Sequence, residues 1–209
     1  MGDTRYIFAE CIKQLMNHQS LDKITVTDIV EMSSKTRQTF YRYFRDKYDL
    51  VNWYFEVLAD KSFLQIGNSE TLREGLIKKF QFIYNDRVFF KEAFKSKDYN
   101  NVENYDYNCI LTFYQNIIKR KLGNNIPSDI EFLLEMYCHG SITMTVDWAT
   151  EGYKLKPEEL ADMLIEALPP KLDELLRDLK IRSLFLHNKT FILNSAFLCC
   201  FYIVEIKEL

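Results

Sequence analysis

Residues 24–54 read ITVTDIVEMSSKTRQTFYRYFRDKYDLVNWY, and the parsing of this stretch organises the rest of the chain. Thr25 stands three residues before Asp28. At that spacing a hydroxyl accepts from the third amide of a helix while the carboxylate reaches back to the cap. Asp46 and Asp49 repeat the pattern and put negative charge at a helix N-terminus, where the dipole favours it. The two starts enclose a short helix, a tight turn and a second short helix, and the second start opens a third. Apolar Ile29, Val30 and Met32 fall on one side of the first helix, and Phe40 and Phe44 recur one turn apart on the second.

The residues left to face outward are Lys35, Thr36, Arg37, Gln38, Thr39, Tyr41, Arg42 and Tyr43. From Lys35 to Lys47 the cations Lys35, Arg37, Arg42, Arg45 and Lys47 meet one anion, Asp46, for a net charge of +4. A short helix with an aromatic inner edge and a basic, hydroxyl-rich outer edge suits the major groove of DNA. Arg and Gln reach base edges, while Thr, Tyr and Lys hold phosphates. The bland alternative is a solvated basic face on an ordinary helical hairpin.

The stretch resembles the DNA-binding domain of the tetracycline-repressor (TetR/AcrR) family of bacterial transcription regulators. The family's capped helix, turn, T-x-Y-x-x-F and K-x-x-L are matched by Thr39, Tyr41, Phe44, Lys47 and Leu50. The resemblance implies a phosphate contact for Thr25 and a recognition helix whose Thr36, Arg37, Gln38 and Thr39 face bases. It implies backbone or thymine-methyl contacts for Tyr41 and Tyr43, and a phosphate held by Lys47. Lys35 and Arg42 complete the DNA-binding set. One departure stands out: the family has Gly and then an aliphatic residue in the turn, where this chain has Ser34 and Lys35. Ser34 must then take a left-handed conformation at some cost, and Lys35 turns its charge outward.

With 209 residues, Phe 16 and Tyr 13 against Gly 6 and Pro 4, the chain has a large apolar complement and few helix breakers. A mostly helical, all-α protein follows, and the resemblance implies its division into an N-terminal three-helix helix-turn-helix domain and a C-terminal helical bundle for ligand binding and dimerisation. The expected division is 1–47 for the reading head, 48–180 for the body, and 181–209 as an apolar extension of open role. The formal charge of −3 speaks against a wholly basic surface, not against a local basic patch. The cysteines, Cys11, Cys109, Cys138, Cys199 and Cys200, are odd in number and form no C-x-x-C, which argues against a disulfide framework or structural zinc. Residues 4–19 are amphipathic with no apolar leader core, so a cytoplasmic protein is expected.

Residues 4–19 read as the first helix, with Tyr6, Ile7, Ile12, Leu15 and Met16 inward and Cys11 in packing. A helix running from Asp46 to about Ile66 is apolar on more than one side, with Trp53 and Val57 off its main stripe, and should bridge head and body. Helices follow over 71–84, 86–95 and 102–122, with a polar loop at 96–101. Ser128 and Glu131 suggest another capping box opening a helix to about 150; Pro157 suits the first position of a helix over 157–167, and 171–180 is a further candidate. The body, with its YNDRVFFKEAF and EELADMLIEALP stretches, is similar to the family subtype that includes regulators of dihydroxyacetone-kinase operons. The family pairs its last two body helices with their twins in a homodimer, which assigns Gly140, Thr143, Trp148, Leu160 and Leu164 to the interface. Phe82, Phe89, Phe90, Phe94, Phe113, Tyr114 and Tyr137 are the candidate lining of an effector pocket, each being also an ordinary core residue.

No Gly-rich phosphate loop, nucleophile elbow or H-E-x-x-H occurs. The histidines are scattered, so no catalytic residue, cofactor or metal is expected. Cys199-Cys200 reads as a packed pair or a thiol sensor, and the segment 191–204 is too short and interrupted to span a membrane. The implied function is that of a homodimeric repressor on a palindromic duplex operator, released by a small apolar effector. The alternative is a helical coactivator or adaptor whose head does not read DNA specifically.

Overall fold

The computed structural model describes residues 3–67, 71–96, 99–123 and 125–176; the apolar stretch 181–209, with Cys199 and Cys200, lies outside the described residues. Among those residues there are only helices: α1 Thr4–Met16, α2 Val26–Ser33, α3 Arg37–Tyr41, α4 Lys47–Gly67, α5 Leu72–Asn85, α6 Arg87–Phe94, α7 Tyr99–Leu122, α8 Ser128–Thr150, α9 Pro157–Glu166 and α10 Pro170–Leu176. A 3-10 turn, Leu21–Lys23, joins α1 to α2.

The head is α1 to α3 and the first turns of α4. Phe8, Ala9, Ile12 and Met16 form the buried stripe of α1, so the stripe is rotated from the expected one and Tyr6 stays 38% exposed. Phe40 is fully buried, 5.3 Å edge-to-face from Phe8 and 5.7 Å from Phe44. Phe44 in turn lies 5.7 Å from Trp53 of α4. Aromatic pairs at these separations add to simple area burial, so this relay fixes α3 against α1 and α4. Met32, expected inside, is 42% exposed, because α2 is only eight residues long and Ile29 and Val30 already fill its inner face.

The off-stripe placement of Trp53 has the predicted consequence. Trp53 packs on the head, while the next two residues face the body: Tyr54 lies 5.1 Å from Phe89, and Phe55 lies 5.7 Å from Phe90 and 5.8 Å from Phe94. Two polar ties run beside this packing. The Lys13 ammonium is 2.6 Å from Asp86, and the Leu21 N–H donates to Glu92 Oε2 at 3.3 Å. Helix α6 is thus in contact with the head at both its ends.

In the body, α5 packs on α4 and α9, and α8 packs on α6 and α7. Trp148 is buried against Phe80 at 5.7 Å and donates from Nε1 to the Leu155 carbonyl at 2.9 Å. Ion pairing of Arg73 with Asp162 at 2.6 Å and a bond from Gln81 to Glu158 at 2.9 Å stitch α5 to α9 along the surface.

Several expectations are corrected. Trp148, Leu160 and Leu164 are at most 6% exposed and belong to the protomer's own core, since α5 covers that side of α8 and α9; only Gly140 and Thr143 of the expected interface set lie outside. Phe82, Phe89, Phe90 and Phe94 pack in the α4–α6 aromatic cluster, which leaves Phe113, Tyr114 and Tyr137 as cavity lining. Ser128 does not cap α8: Pro127 occupies the cap position, and it makes no side-chain cap bond. The loop before α7 is shorter than expected, because the helix already begins at Tyr99.

Candidate nucleic-acid interface

Thr25 builds the start of α2 as its spacing with Asp28 requires. Its Oγ1 accepts from the Asp28 N–H at 3.2 Å, and its own N–H donates to Asp28 Oδ2 at 2.7 Å. The hydroxyl proton also goes to Asp28 Oδ2, at 2.8 Å. The backbone bond from Thr25, followed by the hydroxyl bond, holds the Asp28 carboxyl below its ordinary range. A phosphate contact by the Thr25 hydroxyl has to compete with this closed box.

The turn after α2 reverses the chain in very few residues. Ser34 sits at φ +52°, ψ +35°, the left-handed region that the departure from Gly implied, and Lys35 N–H closes the turn on the Val30 carbonyl at 3.1 Å. Thr36 caps the next helix by accepting from the Thr39 N–H at 3.1 Å. Only Arg37–Tyr41 is α-helical, so Arg42 and Tyr43 project from the turn that follows.

The outer surface of this unit is as basic and polar as expected. Lys35, Thr36, Arg37, Gln38, Arg42 and Tyr43 are exposed, and Tyr41 is 51% exposed, while Phe40 and Phe44 on the opposite side are buried. Thr39 is half-buried because its hydroxyl, 2.9 Å from that of Thr36, turns back toward the cap. Arg37 Nη1 lies 3.5 Å from Thr27 Oγ1, a long contact that lays the guanidinium across the start of α2. Arg45 pairs with Asp49 at 3.2 Å, which reduces its share of the positive field.

Lys47 departs from its expected role. Its ammonium donates to the carbonyls of Leu21 at 2.8 Å, Asp22 at 2.7 Å and Ile24 at 2.7 Å. Three protons converge on three carbonyls, so the side chain locks the 3-10 turn to α4 instead of reaching outward. Sequence spacing gave no sign of this, because the three carbonyls are more than twenty residues away.

In the body, α5, α7, α8 and α9 enclose a cavity of about 20 Å³, room for about one water. No described helix is long and apolar enough to cross a membrane.

Comparison with known proteins bears on both halves. A family model described as "Transcriptional regulator C-terminal region", of TetR type, matches residues 70–169. The chain is 28% identical over 95 residues to the HTH-type dhaKLM operon transcriptional activator DhaS of Lactococcus lactis, covering 44% of this chain and 49% of that protein; the chain thus matches about half the length of this curated relative. A solved structure of a dihydroxyacetone kinase operon activator DhaS superposes with a TM-score of 0.56 at 19% identity, covering 85% of this chain and 98% of that one. A putative TetR-family transcriptional regulator from Syntrophomonas wolfei gives a TM-score of 0.59 at 18% identity, covering 77% of this chain and 90% of that one. Residues 70–169 thus match a TetR-type regulator C-terminal region, and the all-helical fold is similar to that of solved TetR-family regulators.

Proposed function

We propose that the protein is a homodimeric DNA-binding transcription regulator that enters successive major grooves with α3 of each protomer. One observation carries the reading. Arg37, Gln38, Arg42, Tyr41 and Tyr43 stand on the outer side of α3 and the turn after it, a unit whose inner side, Phe40 and Phe44, is anchored in a packed core. Rigid support of a basic, hydrogen-bonding edge is what base reading demands. Arg37 and Gln38 are the base-reading candidates, and Lys35, Thr36, Thr39, Arg42, Tyr41 and Tyr43 hold the backbone or thymine methyls.

A dimer supplies the second head. On α8, Phe132 is 67%, Met136 52% and Met144 49% exposed, and Met163 of α9 is 56% exposed. Gly140 and Thr143 lie exposed in the same stretch of α8, and a Cβ added at Gly140 would meet nothing within 4 Å beyond its chain neighbours and the adjacent backbone of its own helix. An apolar helical face with small residues at its middle supports close approach of a second copy. Two heads related in this way suit a palindrome with half-sites about 34–36 Å apart or somewhat more. A small effector in the body would shift the separation of the heads by favouring one of two states.

The test is a genomic binding assay followed by gel shifts on the recovered site. Arg37→Ala and Gln38→Ala should each relax sequence preference, and binding should weaken steeply with added salt. Unchanged site preference in both variants defeats direct reading. The internal engagement of Lys47 and Thr25 favours a second reading, an adaptor whose head does not read DNA; absence of binding even at low salt would select it. The sign of regulation has two readings as well. Repression is what the family resemblance implies, whereas the DhaS relatives carry activator in their names. A reporter on the bound promoter rises on deletion of a repressor and falls on deletion of an activator.

A further inference from the structure

Helices α5 and α6 meet at a single residue. α5 ends at Asn85, α6 begins at Arg87, and Asp86 is the cap of both. An aspartate that opens a helix ordinarily turns its carboxylate onto the free amides of the first turn. Asp86 makes no such bond; its carboxylate lies 2.6 Å from the Lys13 ammonium of α1. The corner is thus tied to the head by the side chain that would otherwise cap α6.

The body grips the same corner through Tyr153, in the turn between α8 and α9. The Tyr153 hydroxyl donates to the Arg87 carbonyl at 2.9 Å, and its ring lies 5.6 Å edge-to-face from Tyr84 in the last turn of α5. One side chain therefore touches both helices of the corner. On its other side the ring packs edge-to-face on Trp148 at 4.7 Å, and the Tyr153 N–H donates to the Trp148 carbonyl at 2.9 Å.

Tyr153 keeps this place against its own backbone preference. It stands at φ +57°, directly after Gly152 at φ +103°. A bulky L residue enters the left-handed region at a cost, and a glycine would close the turn without it. Such residues persist where the surroundings over-determine them, and they concentrate where geometry has a task. The ring and the hydroxyl are what a glycine would lack, and both reach the α5–α6 corner.

We propose that Tyr153 is a positioning residue for DNA binding: through the α5–α6 corner and the Lys13–Asp86 pair it sets the angle at which the body carries the reading head. The turn joins the two helices that carry the exposed Met136, Met144 and Met163, so the grip on the corner comes from the same elements as the face offered to a second copy. In a dimer the angle of each head fixes the separation of the two α3 helices, and with it the spacing of half-sites that the pair can span. That consequence rests on the reading of the chain as a homodimeric DNA-binding regulator; the mechanical link between turn and head does not.

The test compares the unaltered chain with Tyr153→Phe, which removes the hydroxyl and keeps the ring, and with Lys13→Met, which cuts the tie on the head side. Amide hydrogen exchange is measured on the full chain. The same preparations select among palindromes built from the half-site that the genomic assay recovers, with spacers graded one base pair at a time. Tyr153→Phe should speed exchange in α1 as well as at the start of α6, and leave α7 unchanged. Its spacing preference should broaden and its affinity for the best palindrome fall about tenfold, while affinity for an isolated half-site stays within about twofold, because α3 is untouched. Lys13→Met should reproduce the change in spacing, and the double variant should add little to either single one, since both cut one path. Exchange altered only in the α8–α9 turn, a spacing preference as narrow as in the unaltered chain, half-site affinity that falls as far as palindrome affinity, or additive losses in the double variant overturns the proposal. Faster exchange in α1 of a chain that binds no DNA even at low salt supports the link and defeats the regulator reading.

Discussion

The Lys47 ammonium lies 2.8 Å from the carbonyl of Leu21, the residue whose N–H is given to Glu92 of α6. Leu21 is therefore held from two sides, by α4 of the head and by α6 of the body. Lys47→Met leaves the carbonyls of Leu21, Asp22 and Ile24 without their charged donor. The expected cost is about 2 kcal/mol in urea unfolding, and Lys47→Arg should not restore it, because a planar guanidinium cannot point at three convergent carbonyls. Were Lys47 instead a phosphate contact, stability would stay unchanged and the salt dependence of DNA binding would drop by about one ion.

Ser34 occupies the left-handed region at φ +52°, which an L side chain adopts at a cost of roughly 1 kcal/mol. Ser34→Gly should raise stability by about 0.5–1 kcal/mol, and Ser34→Val should lower it by more. Thermal unfolding of the two variants checks the sign. DNA affinity should rise in Ser34→Gly only if the turn is a source of error in placing α3.

The capping box at α2 is pH-sensitive. The Thr25 backbone bond lowers the Asp28 carboxyl below its ordinary value of 3.8, so its contribution is full above that value and is lost as pH falls through the lowered one. Asp28→Asn should flatten the acid limb of the stability profile below about pH 4 and leave the neutral region with a weakened cap. An unchanged acid limb would show that the bond does not persist in solution.

The exposed apolar face of α8 predicts oligomeric state. Met136→Glu places a charge where a second copy would bury it, at a residue 52% exposed in the protomer. Sedimentation should show conversion from dimer to monomer with the helical content retained, and affinity for a palindromic site should fall about tenfold or more. A dimer that survives the change would move the interface elsewhere.

The reading head was legible because its signals are local. The cap at Thr25, the left-handed Ser34 and the inward Phe40 and Phe44 each depend on residues within one or two turns, and all three appear where the spacing puts them. Trp53, off the main stripe of α4, was likewise readable as a bridge, because a helix apolar on two sides must meet two partners. Apolarity alone did not separate Phe89, Phe90 and Phe94, which pack on α4, from Tyr114 and Tyr137, which line a cavity. It also did not distinguish the inner face of α8, with Trp148, from the outer face with Phe132 and Met136.

By itself the amino-acid order determined the helical class, the start of each head helix and the charged edge of α3, since these rest on spacing, capping and sign. Tertiary structure alone decided that Lys47 turns inward to carbonyls of a distant turn, and that Lys79 and Asp106 meet beside hydroxyls of another helix. Those partners are remote along the chain, and only the packing of helices brings a donor within reach of its acceptor.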